Sequence, residues 1–374
     1  MQALPRESRA AVVVEFGRPM EILAVEIPRE LEPGAILTRN LVATVCATDV
    51  HIAGGSTPAA FPNDPPFILG HEVVGRVEFA NAVETDAIGQ PLRIGDRIVW
   101  THGHCGRCRY CVVERKPSLC INRRPSMGGS IDKFPYLAGG FAEYGYVYPT
   151  GGAVRVPDGI TDAVASAASC GLQTVVHAFE SSPPVNEATV VIIQGAGPLG
   201  LFSVARYVAA GARVILIGGP AQRLELAKAW GATDVVNIEE VPSASDRIKL
   251  IKDLTHGRGG NIVVQASGMS AAFTEGVEMI ANGGYYLIIG QGHDAPVIFD
   301  PSVLTSRNIS IGGVRAAGAE HTWRAMEFLN RHKSTFNWDS MITSFQSLDH
   351  INEAFDRMRS WEEIKPAIQL LQTG

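Results

Sequence analysis

The segment that most constrains the fold is a strand-like apolar run that ends in three closely spaced glycines. Residues 189–194 have the β-branched composition of a buried strand, and Gly195-Ala-Gly197-Pro-Leu-Gly200 follows them where a helical pattern begins. The first glycine permits a tight turn, the second lets phosphates approach the backbone, and the third permits close helix packing. The helix N-terminus supplies N–H donors for an anion. The segment predicts a dinucleotide-binding turn, with a purely structural turn as the alternative.

Short strands and helical patterns alternate around this motif. Helical segments such as 221–230, which Gly231 ends, separate runs rich in Val and Ile. This alternation predicts a doubly wound α/β unit, because parallel strands need helical crossovers. We predict six strands, at residues 189–194, 213–217, 234–237, 261–265, 285–289 and 308–311.

One part of this unit has the hydropathy of a short membrane span. Residues 188–205 form an 18-residue run without a charged side chain. Glycines and a proline interrupt its centre, which favours a buried strand that turns into a helix over a continuous membrane helix. We therefore expect no membrane partner.

The remainder of the chain has a different character. The first 150 residues are rich in Val, Gly and Pro and contain no long amphipathic pattern, which predicts a mostly β domain. Helical patterns at residues 321–332 and 351–358 precede an apolar tail at 367–371 that could return to the first domain. We predict a first domain at 1–172, a dinucleotide-binding domain at 173–310, and a segment at 311–374 that completes the first.

Charge and the N-terminal residues limit the possible partners and location. The 374 residues include 32 Lys and Arg against 38 Asp and Glu, so the net charge is −6 and nucleic acid is not an expected ligand. The N-terminal apolar run at residues 10–14 is too short for the core of a signal peptide. We expect a cytoplasmic protein.

Four of the six cysteines are closely spaced. Cys105-x2-Cys108-x2-Cys111-x8-Cys120 places four thiols within 16 residues, a spacing that can surround one tetrahedral zinc ion. Four thiolates leave no open coordination position, so this zinc would stabilise a lobe at about residues 104–122 without catalysing a reaction. A disulfide cluster and an iron–sulfur cluster are the alternatives.

The other two cysteines, Cys46 and Cys170, are isolated in the sequence. Polar groups in apolar surroundings accompany the first of them, in Cys46-Ala-Thr48-Asp49-Val-His51 and in Gly70-His71-Glu72. A cysteine, a histidine and a second cysteine would provide three ligands and leave the fourth position to water or substrate, as in catalytic zinc sites.

These motifs together resemble the zinc-containing medium-chain dehydrogenase/reductase family, alcohol dehydrogenase branch. The resemblance extends along nearly the whole chain, and its motifs occur in the family's order: Cys46-Ala-Thr-Asp, Gly70-His-Glu, the Cys105 to Cys120 lobe, Gly139-Gly-Phe-Ala-Glu-Tyr144, Cys170-Gly and the glycine motif. It implies a GroES-like catalytic domain and a Rossmann domain, with the active site in the cleft between them. It also implies Cys46, His71 and Cys170 as catalytic zinc ligands.

The resemblance assigns roles to further residues. Thr48 would hydrogen-bond the alcohol at the zinc, and His51 would pass its proton to solvent through the nicotinamide ribose. Asp49 and Glu72 would support the ligands. Leu199 would lie behind the nicotinamide, Thr174 near it, and Lys365 against the diphosphate. The predicted cofactor contacts are Thr174, Gly195, Gly197, Pro198, Leu199, Gly200, Gly218, Gly219, Arg223, Ile289, Gln291 and Lys365.

The sequence departs from the family pattern in three places. Eight residues rather than seven separate Cys111 from Cys120. The second strand ends at Gly218-Gly219 instead of at a carboxylate, so the sequence permits both NAD and NADP; Arg223 could meet a 2′-phosphate, line the adenine or be an ordinary solvated residue. Residues 52–70 form a longer segment with Pro58, Pro62, Pro65 and Pro66, which we expect at the substrate entrance.

The predicted function is reversible oxidation of a small-molecule alcohol to an aldehyde or ketone by hydride transfer to NAD(P)+, with two zinc ions per chain. Phe141 and Leu172 are candidate residues of the substrate pocket. Alternatives are a zinc-independent reductase of activated double bonds on the same fold, and a non-catalytic protein that binds zinc and nucleotide. We expect a homodimer or homotetramer.

Overall fold

The computed structural model describes residues 4–56, 64–291 and 295–371. The chain forms two compact units. The first comprises the residues up to Gln173, Ala317–Lys333 and the residues from Trp338 onwards, and the second comprises Thr174–Ala316 with Ser334–Asn337.

The strands of both units are numbered in chain order. Within the described ranges they are β1 Glu7–Val13, β2 Glu21–Glu26, β3 Ile36–Thr44, β4 Phe67–Ile68, β5 Val73–Ala80, β6 Arg97–Val99, β7 Tyr144–Val147, β8 Val154–Arg155, β9 Val190–Gln194, β10 Arg213–Gly218, β11 Asp234–Asn237, β12 Gly260–Gln265, β13 Ile280–Ile288, β14 Ser310–Gly313, β15 Ile342–Ser347 and β16 Lys365–Gln369.

The helices are numbered in the same way. The α-helices of the described residues are α1 Ala47–Ala53, α2 Arg109–Val112, α3 Asp162–Ala168, α4 Gly171–Glu180, α5 Pro198–Val208, α6 Ala221–Ala229, α7 Ala244–Leu254, α8 Ala271–Met279, α9 Ser302–Ser306, α10 Ala319–Arg331 and α11 Ile351–Arg359. Single 3-10 turns lie at Pro117–Leu119, Trp338–Met341 and Leu348–His350.

The second unit is built on a six-stranded parallel sheet. Its strand order is β11-β10-β9-β12-β13-β14, and every neighbouring pair is parallel. The chain leaves β9 towards β10 and β11 and then returns to the other side through β12, so a switch of direction lies beside β9. Ligands of doubly wound sheets bind at such a point, at the carboxyl ends of the strands.

The predicted six-stranded parallel sheet is confirmed, with small differences at the element ends. The fifth strand begins at Ile280, five residues before its predicted start, and the sixth begins at Ser310, two residues after it. The sixth strand begins late because Asn308 has a positive φ of 51° and turns the chain after α9. Core residues such as Val191, Ile192 and Ile193 are fully buried, as expected for a sheet covered by helices on both faces.

The first unit is mostly β, as predicted. One sheet has the order β15-β16-β3-β5-β6-β8, with β7 also paired to β3, and a second has the order β2-β1-β4. The C-terminal strand β16 pairs antiparallel with β3, with Ala367 opposite Thr44. This pairing places the C-terminal tail beside the strand that leads into Cys46.

The uncharged run at 188–205 divides as expected into β9, a glycine turn and the start of α5. Among the described helices we find none that has both the length and the apolar character needed to cross a membrane.

Candidate functional site

Four cysteines of the first unit converge around the short helix α2. Cys108 precedes the helix, Cys111 lies within it, and Cys105 and Cys120 flank it. The Sγ–Sγ distances are 3.5 Å for Cys108–Cys111, 3.9 Å for Cys108–Cys120 and 3.5 Å for Cys105–Cys120. A tetrahedron with Zn–S bonds of about 2.3 Å has edges of about 3.8 Å, so the four sulfurs fit a zinc ion.

The thiols of this lobe suit a metal better than a disulfide. All six cysteines are free, and the separations above far exceed a disulfide bond of about 2.05 Å, so the disulfide alternative is wrong. The backbone N–H of Arg107 and the side-chain amide of Asn122 donate to Cys105 and lower its pKa to about 5. Zinc binds thiolates, so the lowered pKa values of Cys105 and Cys108 favour metal binding, whereas burial and hydrogen bonds with the neighbouring thiols raise the pKa of Cys111 to about 12.

Arg124 anchors the lobe to the rest of its unit. Its guanidinium donates to both carboxylate oxygens of Glu32, at 3.0 and 2.7 Å, and lies 4.0 Å from the centre of the Tyr148 ring. Backbone hydrogen bonds join Gly103 and Arg124 in both directions at 2.9 Å. The two ends of the cysteine loop are therefore held together independently of the metal.

A second cluster lies where β3, the longest strand of the first unit, ends and where its neighbour β5 begins. Metal-ligating atoms of Cys46, His71, Glu72 and Cys170 all lie within 4.8 Å of one another. Cys46 caps α1 just after β3, and His71 and Glu72 immediately precede β5. Because β3 and β5 are antiparallel, the end of one lies beside the start of the other. Their pairing brings Cys46 to His71, and the turn before α4 adds Cys170.

Asp49 holds two sides of this cluster in place. It is fully buried, and its carboxylate accepts hydrogen bonds from the backbone N–H of Cys46 at 3.0 Å and of Gly70 at 3.1 Å. The same carboxylate lies 3.2 Å from Nδ1 of His71. With Nδ1 engaged, Nε2 is the nitrogen available to a metal, an arrangement that is general for metal-binding histidines.

Lys365 holds the carboxylate of Glu72 in place. The ammonium donates to both carboxylate oxygens, at 2.7 and 3.0 Å, and to the carbonyl of Val45 at 3.1 Å. Thr44 adds a hydroxyl donor at 2.5 Å, and the hydroxyl of Ser166 donates to the backbone carbonyl of Glu72 at 2.8 Å. Glu72 therefore offers the cluster a fourth ligand atom, an oxygen, from a carboxylate that already has other hydrogen-bond partners.

The prediction that Lys365 contacts the diphosphate is wrong. Its side chain is 2% exposed, and its three N–H donors are used by Glu72 and Val45. Burial by itself lowers the pKa of Lys365, but the charge of Glu72, together with those of Cys46 and Cys170, outweighs burial and the pKa is raised. Lys365 is therefore a charged group that positions Glu72 beside Cys46, His71 and Cys170.

Thr48 and His51 lie on the same helix as Asp49 but on its more exposed side. Thr48 is half-buried and His51 is exposed, three residues later on α1, whereas Asp49 faces the interior. Residues at this spacing are neighbours on a helix surface. The hydroxyl of Thr48 and the imidazole of His51 therefore lie on the side of α1 that is more exposed than the side of Asp49.

The glycine motif of the second unit has the geometry that its sequence predicts. Gly195 has a φ of 112°, which other residues rarely adopt, and a Cβ on Gly200 would lie 1.8 Å from the carbonyl oxygen of Gly195. Around Gly197, by contrast, a Cβ would have nothing within 4 Å. Gly197 caps α5 with Pro198 in the first turn. The first and third glycines serve packing, and the second leaves room beside the helix N-terminus.

The end of β10, the second strand of this unit along the chain, has no room for an acidic side chain. A Cβ on Gly218 would lie 2.7 Å from both the nitrogen and the Cβ of Ala196. Arg223, in the first turn of α6, is only 5% exposed, so its alternative as an ordinary solvated residue is wrong. Burial lowers the pKa of Arg223.

Of the remaining predicted cofactor residues, Thr174 lies in α4, Leu199 in the first turn of α5, and Ile289 and Gln291 just after β13. Thr174 and Leu199 are half-buried, Ile289 is buried and Gln291 is exposed. Sequence reasoning missed Gln265 at the end of β12, whose amide donates to Ser267 at 2.9 Å and whose buried Oε1 has no hydrogen-bond partner among the described residues. A glutamine after an apolar strand gives little sequence signal.

Two predictions about the substrate pocket do not hold in the structure. Phe141 and Leu172 are both fully buried, and Phe141 packs edge-on against Phe355 in the core, so neither lines an open pocket. Of the predicted entrance segment, Pro58 and Pro62 lie outside the described residues.

A nucleotide site in one unit, with a closed four-cysteine cluster and a second cluster of cysteines and histidine in the other, defines a zinc-dependent dehydrogenase. Residues 32–158 match the family model of the alcohol dehydrogenase GroES-like domain, and residues 198–331 match that of the zinc-binding dehydrogenase. The chain belongs to the zinc-containing medium-chain dehydrogenase/reductase family, in its alcohol dehydrogenase branch. It is an NAD(P)-dependent oxidoreductase that acts on CH–OH donors.

Individual relatives match along nearly their full length. The 5-exo-hydroxycamphor dehydrogenase of Pseudomonas putida is 32% identical over 96% of this chain and 98% of its own. An alcohol dehydrogenase structure from Thermotoga maritima is 33% identical, with a TM-score of 0.89 over 97% of this chain and 99% of its own. A zinc-binding dehydrogenase from Sinorhizobium meliloti 1021, bound to NADP, is 26% identical, with a TM-score of 0.82 over 98% of this chain and 100% of its own.

Proposed function

We propose that Cys46, His71 and Cys170 hold a catalytic zinc ion at which a small-molecule alcohol is oxidised, and that Cys105, Cys108, Cys111 and Cys120 hold a second, structural zinc ion. The convergence of the first three ligands, with Asp49 behind His71, carries this proposal. Lys365 and Thr44 hold Glu72 back, which supports a three-ligand site whose fourth position is open to substrate.

The residues of α1 suit the removal of a hydroxyl proton. A bound zinc ion would act as a Lewis acid that lowers the pKa of a hydroxyl group placed against it. We assign Thr48 as the group that accepts the substrate hydroxyl proton while its own hydroxyl proton moves to the coenzyme ribose hydroxyl, and His51 as the exposed group that passes a proton on to solvent. Asp49 holds the start of α1 and the ring of His71 in position. The second unit would bind the coenzyme and orient its nicotinamide for hydride transfer.

Metal analysis tests the two-site assignment directly. We expect two zinc ions per chain by atomic emission after extensive dialysis, because the first cluster offers four sulfur ligands and the second three ligands of the cysteine and histidine type. Removal of the more labile ion with a chelator should abolish alcohol oxidation, and zinc should restore it. One zinc ion per chain in a fully active preparation would contradict the catalytic-zinc assignment.

We further propose that the enzyme accepts NADP+ without a large penalty. Gly218 cannot carry the carboxylate that would repel a 2′-phosphate, and Arg223 lies at the start of α6, in the turn that follows. We expect kcat/KM for NAD+ to exceed that for NADP+ by less than about 100-fold, which corresponds to about 2.7 kcal/mol.

Arg223→Leu separates its possible roles in coenzyme binding. If the guanidinium contacts the 2′-phosphate, kcat/KM for NADP+ should fall at least about 10-fold more than that for NAD+. Lys228→Leu, later on the same helix, is the matched control and should leave the ratio unchanged. An equal loss with both coenzymes would assign Arg223 to packing or to the adenine side.

His51→Gln tests the proton path with any accepted alcohol. We expect kcat at pH 7 to fall about 10-fold, because general acid–base contributions start at about 100-fold and solvent can partly replace an exposed group. The loss should shrink as the pH rises, since hydroxide then accepts the proton. A loss that is independent of pH would argue for a structural role of His51.

We also propose self-association through the edge strand β14. Among the described residues β14 is the last strand of its sheet, and its Ile311 is 36% exposed. Val297 and Ile298, in the segment between β13 and α9, are 38% and 98% exposed. Unpaired strand edges are templates for pairing with another chain. Sedimentation should show a dimer or tetramer.

We place the protein in the cytoplasm, where reducing conditions keep its six thiols available to zinc.

A further inference from the structure

A cavity of about 710 Å³ opens at the amino edge of the second unit's sheet. The first residues of β9 and β10 line it, together with the loop after α7 at 255–259. The glycine motif lies at the opposite, carboxyl edge, and the five residues of β9 separate the two edges by about 16 Å. The cavity is therefore distinct from the coenzyme site, and its volume is typical of small-molecule sites.

The charges that line this cavity are unbalanced. Lys252, Arg258, Arg213 and Arg307 contribute four cations, and Glu278 is the single acidic residue that lines the cavity. Arg213 is neutralised by Asp234, at 2.9 Å. Arg307 donates to the uncharged oxygens of Asn282, Val277 and Ile280, and it forms no ion pair with another of the described residues.

Lys252 and Arg258 have no direct counter-ion among the described residues, although the negative charge of Glu278 acts on Lys252. Neither makes an ion pair or a side-chain hydrogen bond within the part of the chain that the structure describes. Lys252 is half-buried and Arg258 is exposed; burial and the nearby charge of Arg307 lower the pKa of Lys252 more than the charge of Glu278 raises it. A cation held in a recess beside another cation is a cost to the unliganded protein, because like charges repel and burial removes hydration.

We propose that this cavity binds a small polyanion, a molecule with two or more phosphate or carboxylate groups, at Lys252, Arg258 and Arg307. An anion would satisfy the ammonium and the guanidinium groups together, through charge-assisted hydrogen bonds. The three cations line one cavity, and the net charge of the chain is −6, which favours a small ligand over an anionic polymer.

The test uses inorganic pyrophosphate and citrate as separate probes, so that phosphate and carboxylate ligands are distinguished. Binding to the zinc-loaded enzyme is measured by titration calorimetry with the coenzyme site saturated by NADP+. We expect at least one probe to bind, and its Kd to rise at least about 10-fold in Lys252→Met and in Arg258→Ala. Lys249→Met, on the same helix but outside the cavity, is the matched control and should change the Kd less than about twofold.

Thermal unfolding provides a second readout that does not depend on the calorimetric signal. At low ionic strength, Lys252→Met without a ligand should unfold at or above the wild-type temperature, because a repulsion is removed. The probe that binds should raise the Tm of the wild type and of Lys249→Met but not that of Lys252→Met. The proposal is overturned if neither probe binds the coenzyme-saturated enzyme, or if binding is the same in all variants.

Discussion

Cys46→Ala should lower kcat for any accepted alcohol by at least about 10⁴-fold, equivalent to about 5.4 kcal/mol of transition-state stabilisation. The substitution removes one of the three proposed protein ligands at a site where Asp49 and the paired strands already position His71. A two-ligand remainder would bind zinc far more weakly, and the hydroxyl group would lose the Lewis acid that lowers its pKa. Atomic emission should then find one zinc ion per chain instead of two.

Cys111→Ala is the matched control for this prediction. It should also remove one zinc ion, but from the lobe, because Cys111 lies 3.5 Å from Cys108 in the four-sulfur cluster. We expect a lower Tm and a largely retained kcat per folded molecule. Coenzyme binding, followed by nicotinamide fluorescence, should survive in both variants. A Cys46→Ala enzyme with two zinc ions and wild-type turnover would contradict the assignment of the catalytic site.

Lys365→Met should destabilise the first unit by about 3 kcal/mol, the cost expected when one partner of a buried ion pair is removed. The ammonium and the Glu72 carboxylate are 2% and 1% exposed, so neither can exchange its partner for water. The lost free energy of unfolding can be measured by urea denaturation. Lys333→Met, at an exposed position of the same unit, should change it by less than about 0.5 kcal/mol.

A double variant distinguishes the ion pair from simple packing. Glu72→Gln with Lys365→Met removes both charges, and we expect it to be more stable than Lys365→Met alone, because no unpaired charge remains. If the double variant is as unstable as the sum of the single variants, the pair does not couple and Lys365 contributes only its packing volume. A wild-type unfolding free energy in Lys365→Met would contradict the prediction altogether.

The elements that could be predicted from the sequence are those whose physical cause is local. The turn from Gln194 to Gly200 depends on glycines that permit a positive φ and close packing, and both requirements are visible within six residues. The four-cysteine lobe is also local, because its ligands lie within 16 residues. The six-stranded sheet followed from the alternation of strand and helix patterns, which is set by burial on both faces of the sheet.

The proposed catalytic cluster could be predicted only in part from the sequence. Cys46 and Cys170 are 124 residues apart in the sequence, and only the resemblance to a family linked them with His71. Their separation along the sequence does not predict how far apart they lie in the folded protein. The antiparallel pairing of β3 with β5 supplies that distance, because it places the residue after one strand beside the residue before the other.

The tertiary structure alone decided the role of Lys365. From the sequence it was a cation near the C-terminus and a plausible partner for a diphosphate. In the fold, β16 pairs with β3 and carries Lys365 to Glu72, 293 residues away in the chain. The cavity at Lys252 and Arg307 depends in the same way on which strand ends become neighbours. Sequence determined the local conformations, whereas burial and charge pairing at these sites arise only when distant segments share one low-dielectric environment.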